Sequence, residues 1–180
     1  MKLSERYQKE IRQKLKKDLG LANVNAVPTL EKVKVNVGIG TYMRNSKDYS
    51  EIAENIALIT GQKPVVSIAR MAISNFKLRI GMPVGLSVTL RKQKMYDFLD
   101  RLINIVLPRV RDFQGVSPKS FDEKGNYNLG IKDCSVFPEL HIEDISKIHG
   151  LQITIATTAK NPEQGKALLT EIGFPFKKTN

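Results

Sequence analysis

The run Leu30-Glu-Lys-Val-Lys-Val-Asn-Val37 alternates apolar and polar residues with period two, and two more runs of the same kind follow at wide intervals. Successive side chains of a strand point to opposite faces. Val33, Val35 and Val37 therefore line one side, with Lys32, Lys34 and Asn36 on the other. In Val84-Gly-Leu-Ser-Val-Thr-Leu-Arg91 the same rule turns Val84, Leu86, Val88 and Leu90 inward and leaves Ser87, Thr89 and Arg91 outward. The segment from Leu151 to Thr158 repeats it, with Ile153 and Ile155 opposite Gln152 and Thr154. Alternation this clean belongs to sheets covered on one face only, which are antiparallel as a rule; buried parallel strands read as unbroken apolar runs.

Between these runs the period changes to that of a helix. Leu3, Tyr7, Ile11, Leu15 and Leu19 fall four apart, and Lys2, Arg6, Lys9, Arg12, Lys14, Lys16 and Lys17 cover the rest, so the N-terminus predicts a basic amphipathic helix. A solvated face and phosphate contact are both open readings of those cations, and the narrow apolar stripe argues against a membrane-surface helix. Ser46 to Thr60 predicts a helix burying Tyr49, Ile52, Ala53, Ile56 and Ile59 and stopping at Gly61. Met95 to Leu107, with Met95, Phe98, Leu99, Leu102, Ile103 and Val106 at helical spacing, reads as the principal core helix, closed by Pro108. Asn161 to Ile172 is a last helix, and a short one is expected between Phe137 and His149.

Pro64 to Ala69 and Asn126 to Lys132 complete the set of candidate strands, and residues 109–125, rich in charge and turn formers, read as a long loop. Strands and helices do not alternate in the regular manner of a doubly wound parallel sheet. The order predicts an α+β fold of two layers, a largely antiparallel sheet with helices packed on one face and the other face open. The 180 residues suit a single domain spanning 1–180. From it residues 70–83 would protrude as the tip of a long hairpin, because strands flank them closely on both sides.

Charge says what such an open face is for. With 29 Lys and Arg against 18 Asp and Glu, the formal net charge is +11, and a chain so basic seeks polyanions. If the helices cover the valine side, then Lys32, Lys34, Asn36, Ser87, Thr89, Arg91, Gln152 and Thr154 form a surface of cations and hydrogen-bonding groups suited to RNA.

Other chemistries fare worse. Cys134 is the only cysteine and there are two histidines, so an internal disulfide and a structural zinc site both lack residues, as in a cytoplasmic protein. The first twenty residues lack the apolar run of a secretory signal, and no stretch approaches the ~20 apolar residues of a membrane span. Gly38-Ile-Gly40 follows a strand, but the third glycine of a dinucleotide-binding turn would fall at Met43. An enzyme reading would need Cys134 beside His141 or His149 with Asp133, or carboxylates from Glu139, Glu143 and Asp144. Those acids could instead bind Mg²⁺, but a solvated helix start or a contact for a basic partner is the reading favoured, and no cofactor is implied.

Several long blocks carry a resemblance: "ITGQKPVV" at 59–66, "ISNFKLRIGMPVG" at 73–85, "VTLR" at 88–91, "MYDFLDRLINIVLPRVRDFQG" at 95–115, "GNYNLGIK" at 125–132 and "TTAK" at 157–160. The chain resembles, nearly end to end, the bacterial form of ribosomal protein five of the large subunit, the 5S rRNA-binding protein of the central protuberance. The resemblance implies a non-catalytic protein of the cytoplasmic ribosome whose helix-free sheet face lies on 5S rRNA, with contacts to large-subunit rRNA and neighbouring large-subunit proteins. Asn36, Gln62 (beside Lys63) and Thr89 match its RNA-contacting residues. The loop with Arg70, Asn75, Lys77 and Arg79 would reach the elbow of peptidyl-site tRNA, with Phe76 either stacking there or bracing the loop. Arg109, Arg111 and Asp112 match a bridge to a small-subunit head protein. The chain departs from the family pattern at Met71 and Ala72, where lysines are frequent, at Ile80, where an acid is usual, and at Glu123-Lys124, which replaces a Gly-Arg pair.

Overall fold

The computed structural model describes residues 3–40, 49–140 and 148–177. Five strands, β1 (Leu30–Gly38), β2 (Val65–Ile68), β3 (Pro83–Leu90), β4 (Tyr127–Ile131) and β5 (Leu151–Thr157), form one open antiparallel sheet in the order β2-β3-β1-β5-β4. Helix α1 runs through three consecutive segments, Leu3–Arg6, a π-turn at Tyr7–Ile11 and Arg12–Asp18. Helix α2 is Ser50–Thr60 and α4 is Pro162–Ile172. Helix α3 again contains a π-turn, running Lys92–Arg101, Leu102–Val106 and Leu107–Arg109. Pro108 thus stands in the final helical turn, one residue short of its end.

The chain gathers into two compact units, Met1–Val33 with Leu90–Leu129 and Thr154–Asn180, and Lys34–Thr89 with Gly130–Ile153. In the first, the four-apart stripe of α1 is buried as its spacing requires, Leu3 and Tyr7 at 6% exposure, Ile11 at 3% and Leu15 at 0%. Tyr7 donates from its hydroxyl to the Pro28 carbonyl at 2.9 Å, and its ring lies 6.2 Å from that of Tyr96 on α3. Met95, Phe98, Leu99, Leu102 and Val106 turn inward from α3. Each such side chain contributes about 1.5–3 kcal/mol by leaving water.

Four rings, Phe121, Tyr127, Phe174 and Phe176, form an aromatic cluster in the same unit with centroids 4.7 to 5.9 Å apart. The tail after α4 is laid alongside residue 116 as a parallel bridge. The Val116 N–H donates to the Pro175 carbonyl at 2.8 Å, and the Lys177 N–H donates to the Val116 carbonyl at 3.0 Å. Helix α4 approaches the turn before β4 so closely that a Cβ on Gly165 would overlap the carbonyl oxygen of Gly125.

In the second unit, α2 buries Ile52, Ile56 and Ile59. It ends where Gly61 adopts the left-handed conformation, φ 65°, that only glycine enters freely, and the Gly61 N–H donates to the Ala57 carbonyl at 2.8 Å. The expected start of this helix at Ser46 falls outside the described residues. Val35, Val37, Leu86, Val88, Leu151 and Ile153 are all buried, the apolar side that period two assigns. Val84 is only half-buried. Of the short helix expected between Phe137 and His149, residues 141–147 fall outside the described residues, and among the described residues the nearest helical turn is the 3₁₀ segment Cys134–Val136.

Candidate nucleic-acid interface

The polar sides of the strands are where the alternation puts them. In the second unit Lys34, Thr89 and Gln152 are exposed and Asn36 and Ser87 half-buried. The antiparallel register of β2 with β3 pairs Val65 with Ser87 and Ser67 with Gly85. Residues paired across a ladder share a face, so Val65, 68% exposed, and Ser67 join the side of Ser87. None of Lys34 to Gly38, β2 or β3 contains an acidic residue. Hydroxyls, amides and a cation are displayed there with no carboxylate among them.

Gln62 and Lys63 are both exposed and lie between the left-handed Gly61 and the start of β2. The αL turn reverses the chain at the end of α2 and so fixes where this pair emerges. Thr60, by contrast, is buried, its hydroxyl donating to the Ile56 carbonyl at 2.7 Å.

Lys32 and Arg91 belong to the first unit, and there a residue that alternation does not mark out changes their setting. Glu31 forms an ion pair with each: its Oε1 lies 3.5 Å from Lys32 Nζ and 3.6 Å from Arg91 Nη1. All three side chains are substantially exposed, so each pair is worth about 0–1 kcal/mol. Such weak pairs exchange readily for a phosphate. Thr154, half-buried, donates to Asn128 Oδ1 at 2.8 Å.

Residues 70–83 form the expected hairpin tip, and it holds itself together. Ile73 and Leu78 exchange two backbone hydrogen bonds at 3.1 Å, a 3₁₀ turn occupies Ser74–Phe76, and the Gly81 N–H donates to the Ala69 carbonyl at 3.0 Å. Lys77 sits in the left-handed region at φ 54°, a conformation costly for a side-chain-bearing residue and concentrated at functional positions. Arg70, Asn75, Lys77 and Arg79 are all exposed. So are Met71 (71%), Phe76 (60%) and Ile80 (73%). Most of the Phe76 ring faces solvent. The loop offers cations and uncovered apolar side chains together.

Arg109 is the last residue of α3 and Arg111 and Asp112 follow it, all three exposed, with Asp112 at φ 52°. Asp122 accepts from the N–H groups of Lys124 (3.0 Å) and Asn126 (2.7 Å) and from Asn126 Nδ2 (2.7 Å). Partial burial raises its pKa, but the side-chain and backbone donors of Asn126, then the Lys124 N–H and ammonium, outweigh that and hold it below the usual carboxylate value. The departure at Glu123-Lys124 is thus built into a turn with its own bonding.

The thiol chemistry weighed above finds the wrong surroundings. Cys134 is fully buried, its Sγ 3.4 Å from His149 Nδ1, and burial pushes its thiol pKa up, away from the thiolate a nucleophile needs. His141, Glu143 and Asp144 lie outside the described residues. Among the described residues, no group of three or more His, Cys, Asp or Glu is placed to hold a metal, and no helix is long and apolar enough to cross a membrane.

Comparison with known proteins decides the family. Residues 23–79 match the family described as ribosomal protein L5, and residues 83–176 match the family described as its C-terminus. The chain belongs to the L5 family of ribosomal proteins. It is 53% identical over 176 residues to the large ribosomal subunit protein uL5 of Anaeromyxobacter sp. (strain Fw109-5), covering 98% of each chain. Its identity to the uL5 of Prochlorococcus marinus (strain MIT 9211) is 53% over 179 residues, 99% of this chain and 100% of the relative. To that of Natranaerobius thermophilus it is 54% over 175 residues, 97% and 98%. This member of the L5 family is accordingly a structural, non-catalytic constituent of the large ribosomal subunit, at work in the ribosome alongside rRNA and other ribosomal components.

Proposed function

We propose that this protein anchors 5S rRNA and large-subunit rRNA through its open sheet face, with Lys34, Asn36, Gln62, Lys63 and Thr89 of the second unit and Lys32 and Arg91 of the first as contacts. Lys and Arg supply salt-dependent affinity, while the amides and hydroxyl select the site by hydrogen bonds and shape. The observation that carries this reading is the carboxylate-free, uncovered surface of Lys34, Asn36, Ser87 and Thr89 in a ribosomal protein of net charge +11. The hairpin loop, with Arg70, Asn75, Lys77 and Arg79, meets peptidyl-site tRNA. Its self-bonded backbone and exposed cations support a contact with phosphates and stacked bases. Arg109, Arg111 and Asp112 bridge to a protein of the small-subunit head.

The test is equilibrium binding to 5S rRNA and to an unrelated structured RNA across a salt series. The expected results are a clear preference for 5S rRNA, and a loss of about 0.5–1.5 kcal/mol for Thr89→Ala and for Asn36→Ala, one net hydrogen bond each. Equal affinity for both RNAs at moderate salt would overturn the reading. Unchanged affinity of Thr89→Ala would remove that residue from the site.

A further inference from the structure

The basic helix α1 belongs to the first compact unit, whereas Lys34, Asn36, Gln62, Lys63 and Thr89 belong to the second. Its six described cations divide into two groups. Arg12 donates from Nη2 to Asn25 Oδ1 at 2.7 Å and from Nε to the Val24 carbonyl at 3.3 Å, and Lys14 pairs with Glu171 at 2.8 Å. These two fasten the helix to its own unit. Arg6, Lys9, Lys16 and Lys17 do not: among the described residues no carboxylate lies within ion-pair distance of any of them.

Arg6, Lys9 and Lys17 are exposed and Lys16 half-buried, whereas Leu3, Tyr7, Ile11 and Leu15 are buried. Arg6 to Lys17 spans roughly 16 Å at 1.5 Å per residue. The helix also carries acids, Glu5, Glu10 and Asp18, yet these do not neutralise the row. Glu5 stands four residues before Lys9 and Glu10 four after Arg6, spacings at which opposite charges attract weakly, whereas Lys16 and Lys17 have no acid at that spacing.

What the row can bind follows from what the rest of the helix does. A helix that lies on a membrane buries its apolar stripe in the lipid. Here the stripe Leu3, Tyr7, Ile11 and Leu15 is already buried in the protein core at 0 to 6% exposure. Only charge is left facing outward, and charge without apolar area suits a densely charged, fully hydrated polyanion. A duplex presents roughly one phosphate charge per ~1.7 Å of its axis, more than enough to engage four cations over this length.

We propose that the outward face of α1 is a second RNA site, in which Arg6, Lys9, Lys16 and Lys17 hold backbone phosphates of ribosomal RNA without reading sequence. This rests on the reading of the protein as an rRNA binder and adds to it a surface outside the sheet. The test compares wild type, a helix variant (Arg6→Gln, Lys9→Gln, Lys16→Gln, Lys17→Gln) and a sheet variant (Lys34→Gln, Thr89→Ala) for binding to 5S rRNA and to a large-subunit rRNA transcript. Affinity is measured from low to moderate salt. Each phosphate contact contributes roughly 0.7–0.9 to the slope of log affinity against log salt. For at least one of the two RNAs, the helix variant is expected to lose about 3–4 units of slope and at least ~10-fold in low-salt affinity. A charge-conserving variant (Arg6→Lys, Lys9→Arg, Lys16→Arg, Lys17→Arg) is expected to keep both, which separates charge from folding.

Wild-type slopes for both RNAs in the helix variant, with binding lost in the sheet variant, would overturn this inference and leave the sheet reading intact. A reduced slope in the helix variant beside an unaffected sheet variant would uphold the helix site and overturn the sheet reading. Sedimentation of the wild type, but not the helix variant, with phosphatidylserine vesicles, while RNA slopes stay unchanged, would assign the row to lipid and overturn the proposal.

Discussion

Replacing Gly165 by alanine sets two effects against each other, and the structure says which wins. Gly165 lies within α4, where alanine is favoured over glycine by about 0.8–1.0 kcal/mol. On helix propensity alone the substitution stabilises. The new Cβ, however, would overlap the carbonyl oxygen of Gly125 and lie 3.0 Å from that residue's carbonyl carbon and Cα. These are backbone atoms, with no flexible side chain to swing away. Nor can Gly125 retreat easily: it is buried, its φ is 76°, and its carbonyl accepts a hydrogen bond from the buried Thr157 hydroxyl at 3.0 Å. Overpacking costs about 1–3 kcal/mol, and disturbing the Thr157 bond adds about 0.5–1.5 kcal/mol. The net expectation is a destabilisation of about 1–3 kcal/mol. At roughly 2–4 °C per kcal/mol for a chain of this size, Tm falls by about 2–12 °C. Urea unfolding followed by circular dichroism, with an unchanged m-value, measures it. A midpoint equal to or above wild type would refute the reasoning and show that α4 moves freely against the turn at Gly125.

The Tyr7→Phe substitution keeps the ring and leaves the Pro28 carbonyl without its 2.9 Å donor; a loss of about 1 kcal/mol in unfolding free energy is expected, and no loss would mean that water replaces the hydroxyl. Cys134 should resist a thiol reagent at pH 8 in the native protein and react at the unfolding rate, because its thiol is buried and its pKa raised; prompt modification would show the site opens locally. Since that folded-state pKa lies above the unfolded one, the associated stability is complete below the ordinary thiol value and fades as pH rises through the folded value. Asp122 runs the other way, its folded pKa being depressed. The gap in Tm between wild type and Asp122→Asn should hold at neutral pH and close as pH falls through the folded pKa, and a gap constant down to strong acid would refute the role given to its donors.

Much of the framework was readable because period two and period 3.6 are local properties. Val33, Val35 and Val37 are buried and Lys34 exposed as alternation in β1 requires, and the stripe of the first helix is buried from Leu3 to Leu15, while Leu19, just past the end of α1, is only half-buried. Local patterns do not say which strands are neighbours. The order β2-β3-β1-β5-β4 puts β2 at an edge, so the largely apolar run Pro64 to Ala69 leaves Val65 and Ile68 at 68% and 61% exposure. The pairing of Glu31 with Arg91 joins the start of β1 to the residue after β3, and nothing in either segment announces it. The same holds for the contact of Gly125 with Gly165 and for the ring cluster that joins Phe121 and Tyr127 to Phe174 and Phe176. On the interface, Lys34 and Thr89 followed from strand parity, whereas the pairing of Val65 with Ser87 needed the register.

The tail laid beside Val116 has a bearing on how the protein is made. Both backbone groups of residue 116 find their partners only in residues 175 and 177. Phe121 and Tyr127 likewise gain ring neighbours from positions 174 and 176. During synthesis the segment around residue 116 therefore emerges some sixty residues ahead of the strand-like piece that holds it, and waits incomplete. The bonds at residue 116 can form only after translation has passed Lys177, and a nascent chain stalled before α4 should be cleaved there by proteases more readily than the finished protein.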